Sequence, residues 1–268
     1  MRILVTGATA KIGRMVVGEL LARGATDIRA LTVDPARAAL PSPVEVVHGH
    51  FGRRGTVATA LAGVDRMYLA PHLPTAAEVC AMAAAAGVRH IVDLAGVKGG
   101  EWQPIEDAVE ASGAAWTHLE PGEFISNATI WAPQIRAGDE VRDAYPDVAN
   151  APVAEEDIAA VAAAVLLSDD HAGASLPLTG PAALSRREKV AELGAGLGRD
   201  LRYVELTGEA ARARFTESMG PYGDWYLANL ASMAAHPPQQ VVSTVGDLLG
   251  RPATGYREWA AAHADLFR

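Results

Sequence analysis

Short apolar runs alternate with stretches of helical spacing through the first half of the chain. Ile3-Leu4-Val5 is the first run. Behind it, Arg14-Met15-Val16-Val17-Gly18-Glu19-Leu20-Leu21 repeats its apolar residues every three to four positions, which predicts a helix. Ile28 to Val33, Val44 to His48, Val64 to Ala70, Val88 to Ala95 and Trp116 to Glu120 read as further strands. Helices are expected up to Leu61, from Thr75 to a closing Gly87, and from near Pro104 to Ser112. This alternation predicts an α/β fold of Rossmann-like type, a doubly wound parallel sheet with helices on both faces. Ligands of such sheets bind beyond the carboxyl ends of the strands. Segments 6–13, 32–37, 49–53, 70–74, 95–102 and 120–127 are therefore where a site is expected.

Past residue 150 the texture changes. Glu155-Glu156-Asp157 suits the start of a helix running from Ile158 to about Leu167. Leu176-Pro177-Leu178-Thr179 reads as an edge strand, where proline is tolerated. Ser185-Arg186-Arg187-Glu188 has the serine and glutamate spacing of a capping box and opens a helix to about Leu197. Leu201 to Leu206 is a short strand, and the remainder is helical. That remainder holds Phe215, Tyr222, Trp225, Tyr226, Tyr256, Trp259 and Phe267, a density of aromatics expected to form a small core of its own. The expected division is a Rossmann domain over residues 1–180 and a smaller, mostly helical substrate or lid region over 181–268.

Composition narrows the classes of function. Half of the 268 residues are hydrophobic, about a fifth are charged, and the net charge is −9. No basic run is long enough to track a phosphate backbone, so nucleic acid is not an expected partner. No stretch approaches the roughly twenty apolar residues of a membrane span, and the chain starts on a strand, not a leader. A cytoplasmic location is the resulting expectation. Cys80 is the single cysteine, in an alanine-rich run, and is expected as a buried small hydrophobe. No set of His, Cys and carboxylates has metal spacing, so no metal site is expected.

The most informative segment is Gly7-Ala8-Thr9-Ala10-Lys11-Ile12-Gly13, which joins the first strand to the first helix. A strand turning through small residues into a helix start is suited to holding a pyrophosphate, with free N–H groups and the positive end of the helix dipole. Gly7 permits the tight turn, and Gly13 lets helix and strand pack closely. The middle glycine of the usual pattern is replaced by Ala10, which narrows the space by one methyl. Asp34 ends the second strand about twenty residues past Gly13, where an acidic residue meets a ribose hydroxyl. It is equally suited to capping the turn that Pro35 begins.

Several segments together carry a family resemblance. They are Ile3 to Thr9, Ala30 to Arg37, Leu61 to Arg66, Leu119-Glu120-Pro121-Gly122-Glu123-Phe124, Asp157 to Ala162, Leu178 to Ser185 and Leu248 to Pro252. On these the chain resembles the NmrA-like atypical short-chain dehydrogenases, NAD(P)-binding proteins that include quinone and azo-type reductases and redox-sensing regulators. The resemblance implies NADP or NAD as coenzyme. Gly7, Thr9, Ala10, Lys11, Ile12 and Gly13 would lie at the diphosphate, and Val33, Asp34, Arg37, His50 and Phe51 toward adenosine. Ala70, Pro71, Ala95, Gly96, Pro121 and Phe124 would lie toward nicotinamide.

The departures are as informative as the matches. Relatives that prefer NADP usually have arginine where this chain has Val33, so the preference between the two coenzymes stays open. The Ser-Ser pair that often ends the fifth strand is Ala95-Gly96. The tyrosine and lysine many relatives use for proton transfer align with Lys98 and Trp102, and no tyrosine lies between Tyr68 and Tyr145. Where relatives commonly have arginine before Pro-Gly, this chain has Glu120. Three groups are candidates to replace the missing chemistry. Lys98 follows the fifth strand, Glu120 ends the sixth, and His72 follows the fourth.

The reading reached is an oxidoreductase that moves a hydride to or from a small apolar carbonyl- or quinone-type substrate lying under the C-terminal helices. The protein is expected to act as a monomer or homodimer. Two alternatives remain open on the sequence: a non-redox isomerase, dehydratase or cyclase on the same fold, and a dinucleotide-sensing protein without turnover.

Overall fold

The computed structural model describes residues 1–96 and 98–268. In chain order the first elements are β1 (Ile3–Val5), α1 (Lys11–Ala22), β2 (Ile28–Thr32), β3 (Glu45–His48), α2 (Arg54–Leu61) and β4 (Arg66–Leu69). Next come α3 (Ala76–Ala85), β5 (His90–Leu94), α4 (Gln103–Ala111), β6 (Ala115–Pro121), α5 (Ala132–Ala137), β7 (Glu140–Asp143) and β8 (Ala149–Asn150). They are followed by α6 (Glu155–Leu166), β9 (Ala174–Leu178), β10 (Leu184–Ser185), α7 (Arg186–Leu197) and β11 (Arg202–Glu205). The chain closes with α8 (Gly208–Met219), α9 (Gly223–Ala234), α10 (Thr244–Leu249) and α11 (Tyr256–Ala262).

The chain forms two compact units, each assembled from separated segments. The first comprises 1–122, 155–178 and 244–251; the second comprises 123–154, 179–243 and 252–268. A single division near residue 180 does not describe this arrangement. Its physical reason is strand pairing: β7 pairs with β11 and β8 with β10, partners remote in sequence, which draws residues 123–154 into the second unit.

The first unit is the expected doubly wound α/β fold. Its seven strands lie in the order β3-β2-β1-β4-β5-β6-β9, and every neighbouring pair is parallel. Every residue of β2, β4 and β5 is buried, because helices cover both faces, and Arg29, Arg66, His90 and Asp93 are buried among their apolar residues. On one face Met67, Leu69 and Ile91 pack with Val57, Leu61, Val79, Ala83, Ile105 and Val109 of α2, α3 and α4. Cys80 lies in the same layer, and burial pushes its thiol up to about 12, so it packs as a small apolar residue. On the other face α1 lies against α6, whose alanine- and valine-rich surface is buried almost throughout. Pro177 sits in β9 at the sheet edge, where its missing N–H leaves no inner ladder bond unmade. The chain leaves β1 toward β2 and β3, then returns on the opposite side as β4. That reversal opens a crevice at the carboxyl ends of β1 and β4.

The second unit is small and mainly helical. Trp131, Ile135, Val141, Val190, Leu193, Tyr256, Trp259 and Phe267 make its main core, and Phe215 and Leu230 join α8 to α9. The capping box at the start of α7 is present, with Ser185 and Glu188 bonded reciprocally. Just inside it, buried Arg186 pairs with buried Asp143, which also accepts from the indole of Trp131. The expected aromatic core thus takes Phe215, Tyr256, Trp259 and Phe267, whereas Tyr222 and Trp225 are exposed. Among the described residues no helix is long and apolar enough to cross a membrane.

Candidate active site

The crevice is floored by the β1–α1 corner, which is built to bring backbone close to a ligand. Gly7 has φ +58°, a left-handed conformation that suits glycine, and a Cβ there would stand 2.9 Å from the Ala70 methyl. A Cβ at Gly13 would stand 2.2 Å from the Gly7 carbonyl oxygen, so the first turn of α1 rests directly on the loop. Ala10 takes the N-cap position with no side chain to bond, and its own N–H donates to the Gly7 carbonyl at 2.9 Å. The opening amides of α1 therefore have no side-chain cap, and no acidic residue occupies the first turn. That donor set, with glycines holding the wall thin, fits a diphosphate. Thr6 braces the crevice: its hydroxyl donates to the Tyr68 carbonyl at 2.9 Å and accepts from Ala70 N–H at 2.8 Å. Lys11 is committed to buried Glu155 at 2.6 Å, tying the start of α1 to α6.

At the end of β2, Asp34 does what Pro35 invites. Its carboxylate accepts from the Arg37 N–H at 3.3 Å and caps a turn over Pro35–Arg37. Thr32 and Thr9 share a hydroxyl bond at 2.9 Å beneath it, and Val33 and Arg37 are exposed. Arg14 holds the following loop by donating to the carbonyls of Ala38 and Ala39. Nearby, His72 stacks on Phe51 with centroids 5.5 Å apart, and His50 meets His72 edge-on at 6.0 Å. His72 Nδ1 is bonded to the Thr75 hydroxyl at 2.8 Å, and His50 Nδ1 accepts from Gly52 N–H. His72 thus groups with the two residues expected at adenosine.

At the ends of β5 and β6 the arrangement is acidic. Ala95 is buried, and a Cβ on Gly96 would touch the Trp102 ring at 3.0 Å, so indole fills the place of the usual hydroxyls. Lys98 is exposed on the turn beyond. Glu120 is buried, and its Oε1 has no hydrogen-bond partner among the described residues. It does not pair with Arg89, which is held by Asp65 at 3.0 Å. One strand over, Asp93 Oδ1 bonds His118 Nδ1 at 2.6 Å, both fully buried, and His118 Nε2 lies 3.3 Å from Glu110. Glu106 of α4 completes the group. Burial pushes the Asp93 carboxyl up, outweighing its bond from His118. Burial also raises Glu106, with the charges of Glu120 and Asp93 adding to the effect. Burial alone would lower His118, yet the bond and charge of Asp93, with Glu110 and Glu106 behind them, leave it raised.

A parallel sheet whose order reverses beside an uncapped, glycine-tight corner defines a dinucleotide-binding protein of Rossmann type. The profile of an NAD(P)H-binding family matches residues 7–169. The chain belongs to that NAD(P)H-binding family, in agreement with its resemblance to NmrA-like atypical short-chain dehydrogenases. It is 40% identical over 280 residues to the (4-alkanoyl-5-oxo-2,5-dihydrofuran-3-yl)methyl phosphate reductase of Streptomyces griseus, covering 99% of each chain. It is 34% identical over 284 residues to the NAD(P)H azoreductase of Xenophilus azovorans, again covering 99% of each. A solved NADPH-dependent quinone oxidoreductase from Escherichia coli matches with TM-score 0.83 and 26% identity, covering 99% of this chain and 100% of that one. The chain is an NAD(P)-dependent oxidoreductase, a reductase in class.

The structure sorts the expected residues into places. Gly7, Ala10 and Gly13 meet at the corner, and Ala70 closes against Gly7. His50, Phe51 and His72 form one aromatic group. Glu120 joins the buried acidic group, while Lys98 stands apart on its turn. Phe124 belongs to the second unit, where it bridges to Val153. Sequence reasoning did not single out Asp93, Glu106 or His118. The available signal was the presence of several ionisable residues, His90 and Asp93 in one strand and His118 and Glu120 in the next, where burial is expected.

Proposed function

We propose that this protein uses NAD(P)H to reduce a small, electron-poor acceptor whose double bond is conjugated to a carbonyl, such as an acyl-substituted unsaturated lactone or a quinone. The observation that carries the reading is the pairing of the thin, uncapped corner at Gly7 and Gly13 with a sheet edge that has no tyrosine donor. The reduced nicotinamide supplies the hydride. A simple ketone would require a well-placed acid as charge builds on its oxygen. A conjugated acceptor spreads that charge over several atoms and tolerates a weaker or later proton donor. The relatives agree in kind: a 4-alkanoyl-5-oxo-2,5-dihydrofuran has two carbonyls on one carbon of its ring double bond and conjugated with it, and the other relatives act on azo compounds or quinones.

In this reading the corner amides bind the diphosphate, and His50, Phe51 and His72 line the adenine side. His72 is thereby a binding residue and not the acid. Glu120 hands the proton to the reduced substrate, and Lys98 meets an anionic substituent of the substrate from its exposed turn. The test is substrate-dependent loss of nicotinamide absorbance with a 3-acyl-2(5H)-furanone and with a quinone, using NADPH and NADH in parallel. Oxidation that requires the acceptor is the expected result. Coenzyme binding with no oxidation in the presence of either acceptor contradicts it.

A further inference from the structure

The buried group around His118 has a layout that an ordinary ion pair does not require. β5 and β6 are adjacent and parallel, with Asp93 opposite His118 in register. Asp93 and His118 are 0% and 1% exposed, yet Glu110, bonded to the outer nitrogen of the imidazole, has a side chain that is 50% exposed. The ring is held in plane by Trp116, stacked at 4.1 Å. Carboxyl, imidazole and carboxyl thus form a line from solvent into the sheet, with contacts of 3.3 and 2.6 Å.

At the inner end, two carboxylate oxygens lack any hydrogen-bond partner among the described residues: Asp93 Oδ2 and Glu120 Oε1. Their residues are 0% and 8% exposed, and the two charges act on each other. Buried polar atoms left unpaired are rare and call for a cause. Glu120 lies two residues beyond His118 on the same face of β6, at the carboxyl end of the strand where substrate is expected.

We propose that Glu110, His118 and Asp93 form a proton relay that reloads Glu120 from solvent through the α4 side of the sheet. The proposal rests on the reductase reading above. The new C–H bond of the product takes its hydride from the reduced nicotinamide, and the electron pair of the former double bond moves onto the conjugated oxygen. The Glu120 O–H bond then breaks and its proton joins the substrate anion. Asp93 passes a proton to Glu120, His118 passes one from Nδ1 to Asp93, and His118 Nε2 takes one from Glu110, which recovers it from water; the imidazole then returns to its Nδ1–H tautomer before the next turnover. Each cycle adds one hydride and one water-derived proton to the acceptor. Only Glu120 touches substrate; His118, Asp93 and Glu110 act through it.

The surroundings favour a retained proton. Asp93, Glu106 and Glu120 are three buried carboxyls near one imidazole; burial raises Asp93 and Glu106, and the charge of Glu120 adds to both shifts. The charge of Asp93 also acts on Tyr68 of β4 and Cys80 of α3, and burial raises both of these groups.

The experiment compares wild type, Glu110→Gln and His118→Gln as full-length proteins, with NADPH and a 3-acyl-2(5H)-furanone. It reads kcat and KM against pH, and the solvent deuterium effect on kcat. His118→Gln is expected to lower kcat by about tenfold to a hundredfold with little change in KM, as for loss of an acid–base path. Glu110→Gln is expected to lower kcat less, alter the pH profile, and regain rate when imidazole or formate is added. Glu110 is half exposed, so its variant folds even if His118→Gln does not. A folded Glu110→Gln protein with wild-type kcat, pH profile and isotope effect overturns the relay. A wild type that binds NADPH yet reduces no acceptor overturns the reductase reading and the relay together, whereas an active wild type with unaffected variants overturns the relay alone.

Discussion

Replacing Gly13 by alanine tests the coenzyme site at its tightest point. The added methyl carbon would lie 2.2 Å from the Gly7 carbonyl oxygen, 2.8 Å from its carbon and 3.2 Å from Ala8 Cα. All three are backbone atoms, so no rotamer change relieves the clash. Restoring ordinary contact moves α1 away from the loop by roughly 1 Å, because dispersion contacts settle near 3.5 Å. Amides that met a diphosphate oxygen at about 2.9 Å would then stand near 3.9 Å, outside hydrogen-bond range. Bonds to a charged group contribute about 1.5–3 kcal/mol each, so losing two costs roughly 3–6 kcal/mol. That corresponds to a Kd for NADPH weakened by about 10² to 10⁴. The overpacking itself costs about 1–3 kcal/mol of stability, so the protein is expected to remain folded but melt earlier. The assay is calorimetric or fluorescence titration with NADPH beside a thermal melt, with Ala10→Gly as the matched control. Ala10→Gly removes a methyl from the cap and is expected to bind as well as wild type or better. A Gly13→Ala protein binding within about threefold of wild type, under 1 kcal/mol, refutes the reasoning.

Three further outcomes follow from buried charge. Asp143→Asn leaves Arg186 buried without its counter-ion and is expected to cost about 3–5 kcal/mol, read as an earlier midpoint in denaturant. Burial lowers the pKa of His90, so its stabilising contribution is present above its ordinary value of 6.5 and is lost as pH falls below it. His90→Gln is therefore expected to flatten the acid side of the stability profile, and an unchanged slope between pH 6.5 and 5 counts against this assignment. Glu106 is shifted upward, so its contribution holds below its unfolded pKa and is lost as pH rises through the folded one. Glu106→Gln should accordingly raise the melting temperature near pH 8 by more than near pH 5.

The parts of this protein that were legible in its sequence are those fixed by local chemistry. The β1–α1 corner is specified within thirteen residues, and the structure shows the crowding at Gly7 and Gly13 that requires those glycines. Ser185 and Glu188 announce α7 by a bond spanning one turn. The buried strands of the first unit were visible because both their faces are covered. Residues 121–154 gave no usable pattern, since β7 and β8 are only four and two residues long and find partners far along the chain. For the same reason the two interleaved units were invisible. Asp34 suited ribose and helix cap alike; in the structure its Oδ1 accepts from the Arg37 N–H of the turn that Pro35 begins. The group around His118 depends on the register of β5 against β6, a long-range property that local spacing does not encode.

In the proposed reaction a hydride moves to a conjugated acceptor from a nicotinamide coenzyme whose diphosphate is held at the Gly7–Gly13 corner. Its most direct test is turnover of a 3-acyl-2(5H)-furanone with NADPH deuterated at nicotinamide C4, each stereoisomer used in turn, and mass and NMR analysis of the product. One stereoisomer is expected to deliver its deuterium to the ring carbon β to the carbonyls, in amounts equal to the coenzyme oxidised. Coenzyme oxidation without deuterium in the product, or no oxidation with either stereoisomer, would contradict the account.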